Sequence, residues 1–195
     1  MLTKTRQFIQ VFSGTSLIGI GISLNYLANL GLGPWGVFHD GLSKTLGISY
    51  GRTIIITGVA VMLLWIPLKQ KPGIGTIIDI FLVGIVADLI ILNFDLSDSI
   101  FLSLALIAFG IILIGAGTAI YVGADLGAGP RDGVMVGLEK IGLKIGTARN
   151  LIELFAFLTG WLLGGLVGYV TILFVIGIGP VVQMVLPYVD MRKND

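Results

Sequence analysis

Two stretches decide how this chain is organised: Leu30-Gly31-Leu32-Gly33-Pro34 and, 96 positions later, Leu126-Gly127-Ala128-Gly129-Pro130. Around them, Gly14–Lys44 aligns on Gly110–Lys140 without a gap, with 13 identities in 31 positions. Among these are Gly14/Gly110, Gly19/Gly115, Gly21/Gly117, Ala28/Ala124, Gly41/Gly137 and Lys44/Lys140. With small gaps the match continues through Gly47/Gly142, Gly51/Gly146, Gly75/Gly168 and Gly84/Gly177. Apolar composition aligns leucines and isoleucines by chance. It does not place the same Leu-Gly-X-Gly-Pro block at the end of equivalent helices, so the chain reads as a tandem duplication.

Outward from these blocks the composition sets the class. Of 195 residues, 55% are hydrophobic, 29 are glycine, and 12 Lys and Arg face 11 Asp and Glu for a net charge of +1. The mean hydropathy is +1.01. Charged residues make up 12% of the chain, against about 25% in a soluble domain. A soluble enzyme, a disordered tail and a nucleic-acid binder are excluded, because none could keep so much apolar surface from water. There is no cysteine and a single histidine, His39, so disulfides, thiolate chemistry and clustered metal ligands are not expected. No cofactor is expected either. What remains is a polytopic membrane protein whose glycines let helices approach closely.

Apolar runs near the length of a bilayer crossing predict six spans: Ile9–Ala28, Thr53–Leu68, Gly73–Leu92, Ile100–Val122, Leu151–Gly168 and Tyr169–Pro187. The last two nearly touch, with Gly164, Gly165 and Gly168 marking the turn. The first is not a cleavable signal peptide, since Ser13, Thr15, Ser16, Ser23 and Asn25 interrupt it and no cleavage pattern follows. With the N-terminus inside, ten of the twelve cations fall on the cytoplasmic side: Lys4, Arg6, Lys69, Lys71, Arg131, Lys140, Lys144, Arg149, Arg192 and Lys193. Only Lys44 and Arg52 fall outside. That asymmetry places both termini in the cytoplasm.

The fold expected is therefore all-α, a single membrane domain over 1–195 made of two three-helix repeats, about 8–94 and about 100–188. Three spans is an odd number, so the second repeat enters the membrane from the opposite side. Substrate sites in inverted-repeat proteins lie between the repeats near the midplane, often at broken helices. The alternative is a duplicated scaffold that transports nothing.

Each Gly-X-Gly-Pro block reads as a helix end, a sharp break and a new helix start, because glycine takes positive φ and proline suits a first turn. The new helices, about Trp35–Leu46 and Arg131–Ile141, are too short to cross a bilayer. They are either re-entrant, with N-termini facing a shared cavity and able to hold an anion, or interfacial and amphipathic. Gly31, Gly33, Pro34, Trp35, His39, Asp40, Gly127, Gly129, Pro130, Arg131 and Asp132 are the candidate substrate-binding residues. Arg131 can recognise a carboxylate or phosphate, or pair with Asp132. Trp35 can stack on a ligand or anchor at the interface. His39, beside Asp40, can titrate near neutrality or be a plain surface residue.

Ionisable residues within spans suggest function. Asp79, early in the third span, reads as interfacial. Asp88, among apolar neighbours, is the better candidate for a proton or cation site. Glu153 lies four residues after Arg149 on one helical face, so the two form either a structural clamp or a coupling pair. Gln183, after Gly179-Pro180, lies close to the repeat-mate of Asp88 and joins the binding candidates.

Taken together, Leu30-Gly31-Leu32-Gly33-Pro34-Trp35, the stretch Leu64-Trp65-Ile66-Pro67-Leu68-Lys69-Gln70-Lys71-Pro72-Gly73-Ile74-Gly75-Thr76, the run Gly84-Ile85-Val86-Ala87-Asp88 and Gly127-Ala128-Gly129-Pro130-Arg131-Asp132-Gly133 resemble the YczE-like membrane proteins of bacteria, grouped with YyaS and YitT. The resemblance covers nearly the whole chain and implies a bacterial inner-membrane protein without naming a substrate. Gly36 stands where that family commonly has an aspartate. Gly168-Tyr169-Val170-Thr171 stands where it has Gly-X-Gly-Thr.

The function expected is a small-molecule permease for an anionic or zwitterionic, proton-coupled substrate, and not an enzyme. Two alternatives stay open: a substrate-binding subunit of a multi-component uptake system, and an assembly or signalling factor without a ligand. Expected partners are a small-molecule substrate and the lipid bilayer, with no nucleic acid. Pairing of two copies as a homodimer stays open.

Overall fold

The computed structural model describes residues 2–191; Arg192 and Lys193, counted above among the cytoplasmic cations, lie outside them. The described chain forms eight helices: α1 (Leu2–Leu27), α2 (Pro34–Leu46), α3 (Tyr50–Leu63), α4 (Ile74–Ile91), α5 (Ile100–Gly123), α6 (Pro130–Lys140), α7 (Ile145–Leu162) and α8 (Val170–Val189). The protein is all-helical, as the sequence implies.

The spans are less uniform than the reading of six crossings. Among the described residues, three helices are long and apolar enough to cross a bilayer: Lys4–Leu27, Ile74–Ile91 and Ile100–Gly123. The pair α2 and α3, bent by 109°, makes a fourth when taken as one broken crossing. The expected span Thr53–Leu68 is helical only as far as Leu63. Beyond it the backbone tightens into three-residue turns, with Trp65 N–H on Met62 O and Ile66 N–H on Leu63 O, and Pro67 has no N–H to continue a helix. The expected span Leu151–Gly168 starts earlier, at Ile145, and stops at Leu162. Arg149 and Asn150 lie within α7, because a polar residue does not interrupt the backbone ladder.

The two Gly-X-Gly-Pro blocks fold alike. Asn29 and Asp125, 96 positions apart, both take left-handed backbone at φ 53° and 55°. Gly31 and Gly127 follow at φ 117° and 126°, a region open only to glycine at low cost. Gly33 and Gly129 then cap the short helices in extended conformation, with Pro34 and Pro130 in the first turn.

At the centre, α1 and α5 cross antiparallel. A Cβ on Gly14 would stand 2.7 Å from Gly117 O, and a Cβ on Gly21 would stand 2.7 Å from Gly110 O. These are the repeated glycines, Gly14 with Gly110 and Gly21 with Gly117, each meeting the other's counterpart. Small residues let two backbones touch where lipid gives helices no hydrophobic reason to associate. α4 packs on α1 and α8 on α5, while α2 packs on α7 and α6 on α3. Each short helix thus leans on the opposite half, and the halves interlock.

The loops lock the same way twice. Thr171 Oγ1 donates to Leu32 O at 2.7 Å, and Thr76 Oγ1 donates to Ala128 O at 2.7 Å. Gly168 lies against Leu30 and Gly31, and Gly73 against Leu126 and Gly127. The equivalent of Gly168 is therefore Gly73, not Gly75, and past the short helices the offset between halves is 95. On that register Gly84 matches Gly179 rather than Gly177. One packing pair has exchanged sizes: Trp65 donates its indole N–H to Pro130 O at 2.8 Å and fills the space above Gly133. In the other half, Gly160 meets Phe38 and Val37 instead.

Candidate functional site

A cavity of about 420 Å³ lies between the starts of α2 and α6. Its wall includes Gly33, Pro34, Trp35, Gly36 and His39 from one short helix and Gly129, Pro130, Arg131, Asp132 and Met135 from the other. These are the same five positions in each half. Further equivalent pairs line it from the long helices: Ile18 with Ile114, Ile22 with Thr118, Asn25 with Tyr121, and Asp79 with Phe174. The cavity thus straddles the relation between the two halves.

Of the residues singled out by sequence, the cavity gathers Gly33, Pro34, Trp35, His39, Gly129, Pro130, Arg131, Asp132, Arg149, Glu153 and Gln183. Four others stand outside its wall. Gly31 and Gly127 serve the turns, pressed against Gly168 and Gly73. Asp40, 2% exposed, accepts from Lys44 Nζ at 2.7 Å and from Leu166 N–H at 2.7 Å, tying α2 to the turn after α7. Asp88 accepts from Ser49 Oγ at 2.5 Å and from Gly51 N–H at 2.6 Å. It caps α3, a role that any solvent-shy helix start invites.

Chemistry inside the cavity is concentrated at the two helix starts. The Arg131 guanidinium lies over the Trp35 ring, 5.1 Å from its centroid. His39 packs by its ring against Trp35 and, edge-on at 5.9 Å, against Tyr50. Around Gly129 two carboxylates converge: the point where a Cβ would stand is 3.1 Å from Asp132 Oδ2 and 3.8 Å from Asp79 Oδ2. Asp132 is the acid in the first turn of α6 and its carboxylate turns back toward Gly129, where negative charge suits a helix start. Among the described residues the ion pairs are Lys44–Asp40 and Arg149–Glu153, the latter at 3.0 Å. Arg131, Asp79 and Asp132 belong to neither, so Arg131 and Asp132 do not form the local pair that adjacency suggests. The paired Arg149 and Glu153 stand in the wall of the cavity.

Sequence reasoning underrated Asp79 and missed Asn25, Tyr50 and Thr57. Both polar atoms of Asn25 and the hydroxyl of Thr57 are buried without a hydrogen-bond partner, although such groups ordinarily find one. A usable signal existed for Asn25, whose repeat-mate Tyr121 is a second polar side chain in an apolar helix.

The halves differ at one seam. Between α3 and α4 the glycines touch: a Cβ on Gly84 would stand 2.6 Å from Gly51 O, and Asp88 fastens the helix start beside them. The equivalent residues of α7 and α8 are Gly146, Gly179 and Gln183. Among the described residues nothing lies within 4 Å of a Cβ on either glycine. Gly179, Val182 and Gln183 line the cavity, whereas their counterparts Gly84, Ala87 and Asp88 are shut into the α3–α4 contact. Thus α3 packs on α4, whereas among the described residues α7 and α8 form no such seam.

Comparison with known proteins places this architecture in a family. Residues 5–187 match the family of unknown function DUF6198. An uncharacterized protein of Haemophilus influenzae is 38% identical over 172 residues, covering 88% of this chain and 79% of the relative. The uncharacterized membrane protein YczE of Bacillus subtilis is 32% identical over 179 residues, covering 90% and 83%. The uncharacterized protein YyaS of the same organism is 27% identical over 189 residues, covering 93% and 94%. No solved structure matches the chain. With its apolar helices and a membrane protein among its relatives, the chain is a multi-pass membrane protein, and it belongs to DUF6198 as a YczE-like member.

Proposed function

We propose that this protein is a permease for small molecules in the bacterial cytoplasmic membrane. It would work by alternating access between two inverted repeats, each of four helices with the short helix re-entrant. Supporting the inversion is the antiparallel crossing of α1 and α5, which are repeat-mates: two equivalent helices that cross a bilayer antiparallel enter it from opposite sides. Re-entrant starts at membrane depth are tolerated only against protein or a water-filled cavity, and the cavity between Pro34 and Pro130 meets that condition. The distribution of cations supports a cytoplasmic side for both termini and for the exposed Arg149 at the open seam.

The observation that carries the reading is the unequal seam. If the two repeats, which share 13 of 31 residues over their best-matched segment, exchanged these two packings, the cytoplasmic opening would close and one would form on the other side. Asp88 would release α3 while Gln183 comes up to the start of α7. In this reading a coupled proton is carried by Glu153, which stands in the cavity wall, whereas Asp88 stands outside it.

The test uses the absence of native cysteine. Thr57→Cys, inside the cavity wall, is exposed to a membrane-impermeant maleimide in sealed vesicles of either orientation. A permease exposes this position to both sides, in alternation. Labelling from one side only, under every ionic and pH condition, would contradict the proposal and favour a static binding subunit.

A further inference from the structure

The two helix starts differ in the acid of the first turn. In the second half, Asp132 supplies a carboxylate to its own helix start. In the first half its counterpart is Gly36, and the first turn of α2 holds no acid where that of α6 holds Asp132. The first-turn amides of α2 therefore lack the anion that those of α6 possess, and such amides favour one. Beside them, Arg131 faces the cavity with no carboxylate within ion-pair distance among the described residues, held in place by Trp35. Tyr50, 3% exposed, brings its hydroxyl to 3.2 Å from the point where a Cβ on Gly36 would stand. No described residue bonds that hydroxyl. A guanidinium, free amides and an unpartnered phenol thus converge where a carboxylate is missing.

The opposite charge is next to it. Asp79 and Asp132 converge on Gly129, two residues from Arg131. The cluster sets one guanidinium beside two carboxyl groups. A plain anion would leave the two acids unmatched, and a plain cation would leave Arg131 and the α2 amides unmatched. A molecule with both charges a few bonds apart satisfies both groups.

We propose, resting on the permease reading, that the cavity binds a small zwitterion whose carboxylate and ammonium groups are adjacent, an α-amino acid being the simplest. The carboxylate lies between Arg131 and the first turn of α2 and accepts from Tyr50. The ammonium group meets Asp79 and Asp132. The remainder of the molecule faces the aliphatic wall that includes Ile18 and Ile54. A volume of about 420 Å³ lies at the small end of ligand pockets and holds an amino acid with water to spare.

The test is binding to the full chain in nanodiscs, read by tryptophan fluorescence and thermal stability. The standard amino acids are screened singly, and the best binder is compared with its deaminated and decarboxylated analogues. Removing either charge is expected to weaken binding tenfold or more. Arg131→Gln is expected to abolish the preference for the amino acid over the amine, and Asp79→Asn the preference over the carboxylate. Arg131→Lys, which keeps the charge, serves as the folding control and retains part of the preference. Binding of no amino acid, or equal binding of either singly charged analogue, overturns the assignment. Thr57→Cys accessibility separates this from the reading beneath it: alternating labelling without amino-acid binding leaves a permease for another solute. Amino-acid binding with one-sided labelling leaves the site and removes the permease.

Discussion

Trp35 and Arg131 occupy the same position in the two halves of this chain, and they touch, with the guanidinium 5.1 Å from the centre of the indole ring. Two equivalent residues can meet only near the axis that relates their halves. The contact therefore marks that axis and sets both short-helix starts around one point. Cation–π pairs contribute roughly 0.5–1 kcal/mol at exposed sites. A double-mutant cycle of Trp35→Leu and Arg131→Gln, followed by thermal unfolding in detergent, is expected to give a coupling of about that size. Additive effects would mean that the two side chains do not hold one another.

The central crossing makes a sharper demand on stability. Gly14→Leu and Gly117→Leu each place a side chain into the carbonyl of the opposite helix, and overpacking of this kind costs about 1–3 kcal/mol or more. Both variants are expected to lose the monodisperse peak on size-exclusion chromatography or to unfold at much lower temperature. Gly146→Ala, with open space around it, is the control and is expected to leave unfolding unchanged.

Much of this was legible in the sequence, and the limits are instructive. The duplication, the helix breaks and the short helices followed from glycine and proline, whose backbone rules act locally. The duplication pointed to a cavity between the two helix breaks, where Trp35, Arg131, Asp132 and Gln183 lie, whereas Arg149 and Glu153 were singled out only by charge and spacing. The role of Asp88 did not follow, because its partners, Ser49 and Gly51, are nearly forty residues away in the chain and no periodicity announces a cap supplied by another helix. Asp79 was read as interfacial from its place near a helix start. That position says nothing about the turn at Gly129 folding over it. The length of α3 was overestimated because hydropathy continues through Ile66 and Leu68 although the backbone does not.

Asp88 gives a prediction that separates capping from coupling. Losing the acceptor for Gly51 N–H and Ser49 Oγ should cost about 1–2 kcal/mol, the size of a lost N-terminal cap, so Asp88→Ala is expected to unfold at lower temperature. Asp88→Asn, which keeps an acceptor oxygen, is expected to recover part of the loss. A variant whose stability matches the parent would mean that the α3 start is satisfied without Asp88.

Orientation can be settled without a ligand. Single cysteines at Asp95, in the loop between α4 and α5, and at Lys71, in the loop between α3 and α4, are expected to react from opposite sides of intact cells. Asp95→Cys is expected to label from outside and Lys71→Cys only after permeabilisation. The reverse pattern would turn the whole assignment over, cation count included.

The unequal seam is the centre of the account, and distances across it test the account directly. Spin labels at Arg52 and Leu89 span the α3–α4 seam, and labels at the equivalent Thr147 and Met184 span the α7–α8 seam; all four positions are exposed. Pulsed electron paramagnetic resonance in lipid is expected to give two populations for each pair, with one seam lengthening as the other shortens when conditions shift the balance. A single, invariant distance at each seam, with the α7–α8 pair always the longer, would contradict alternating access.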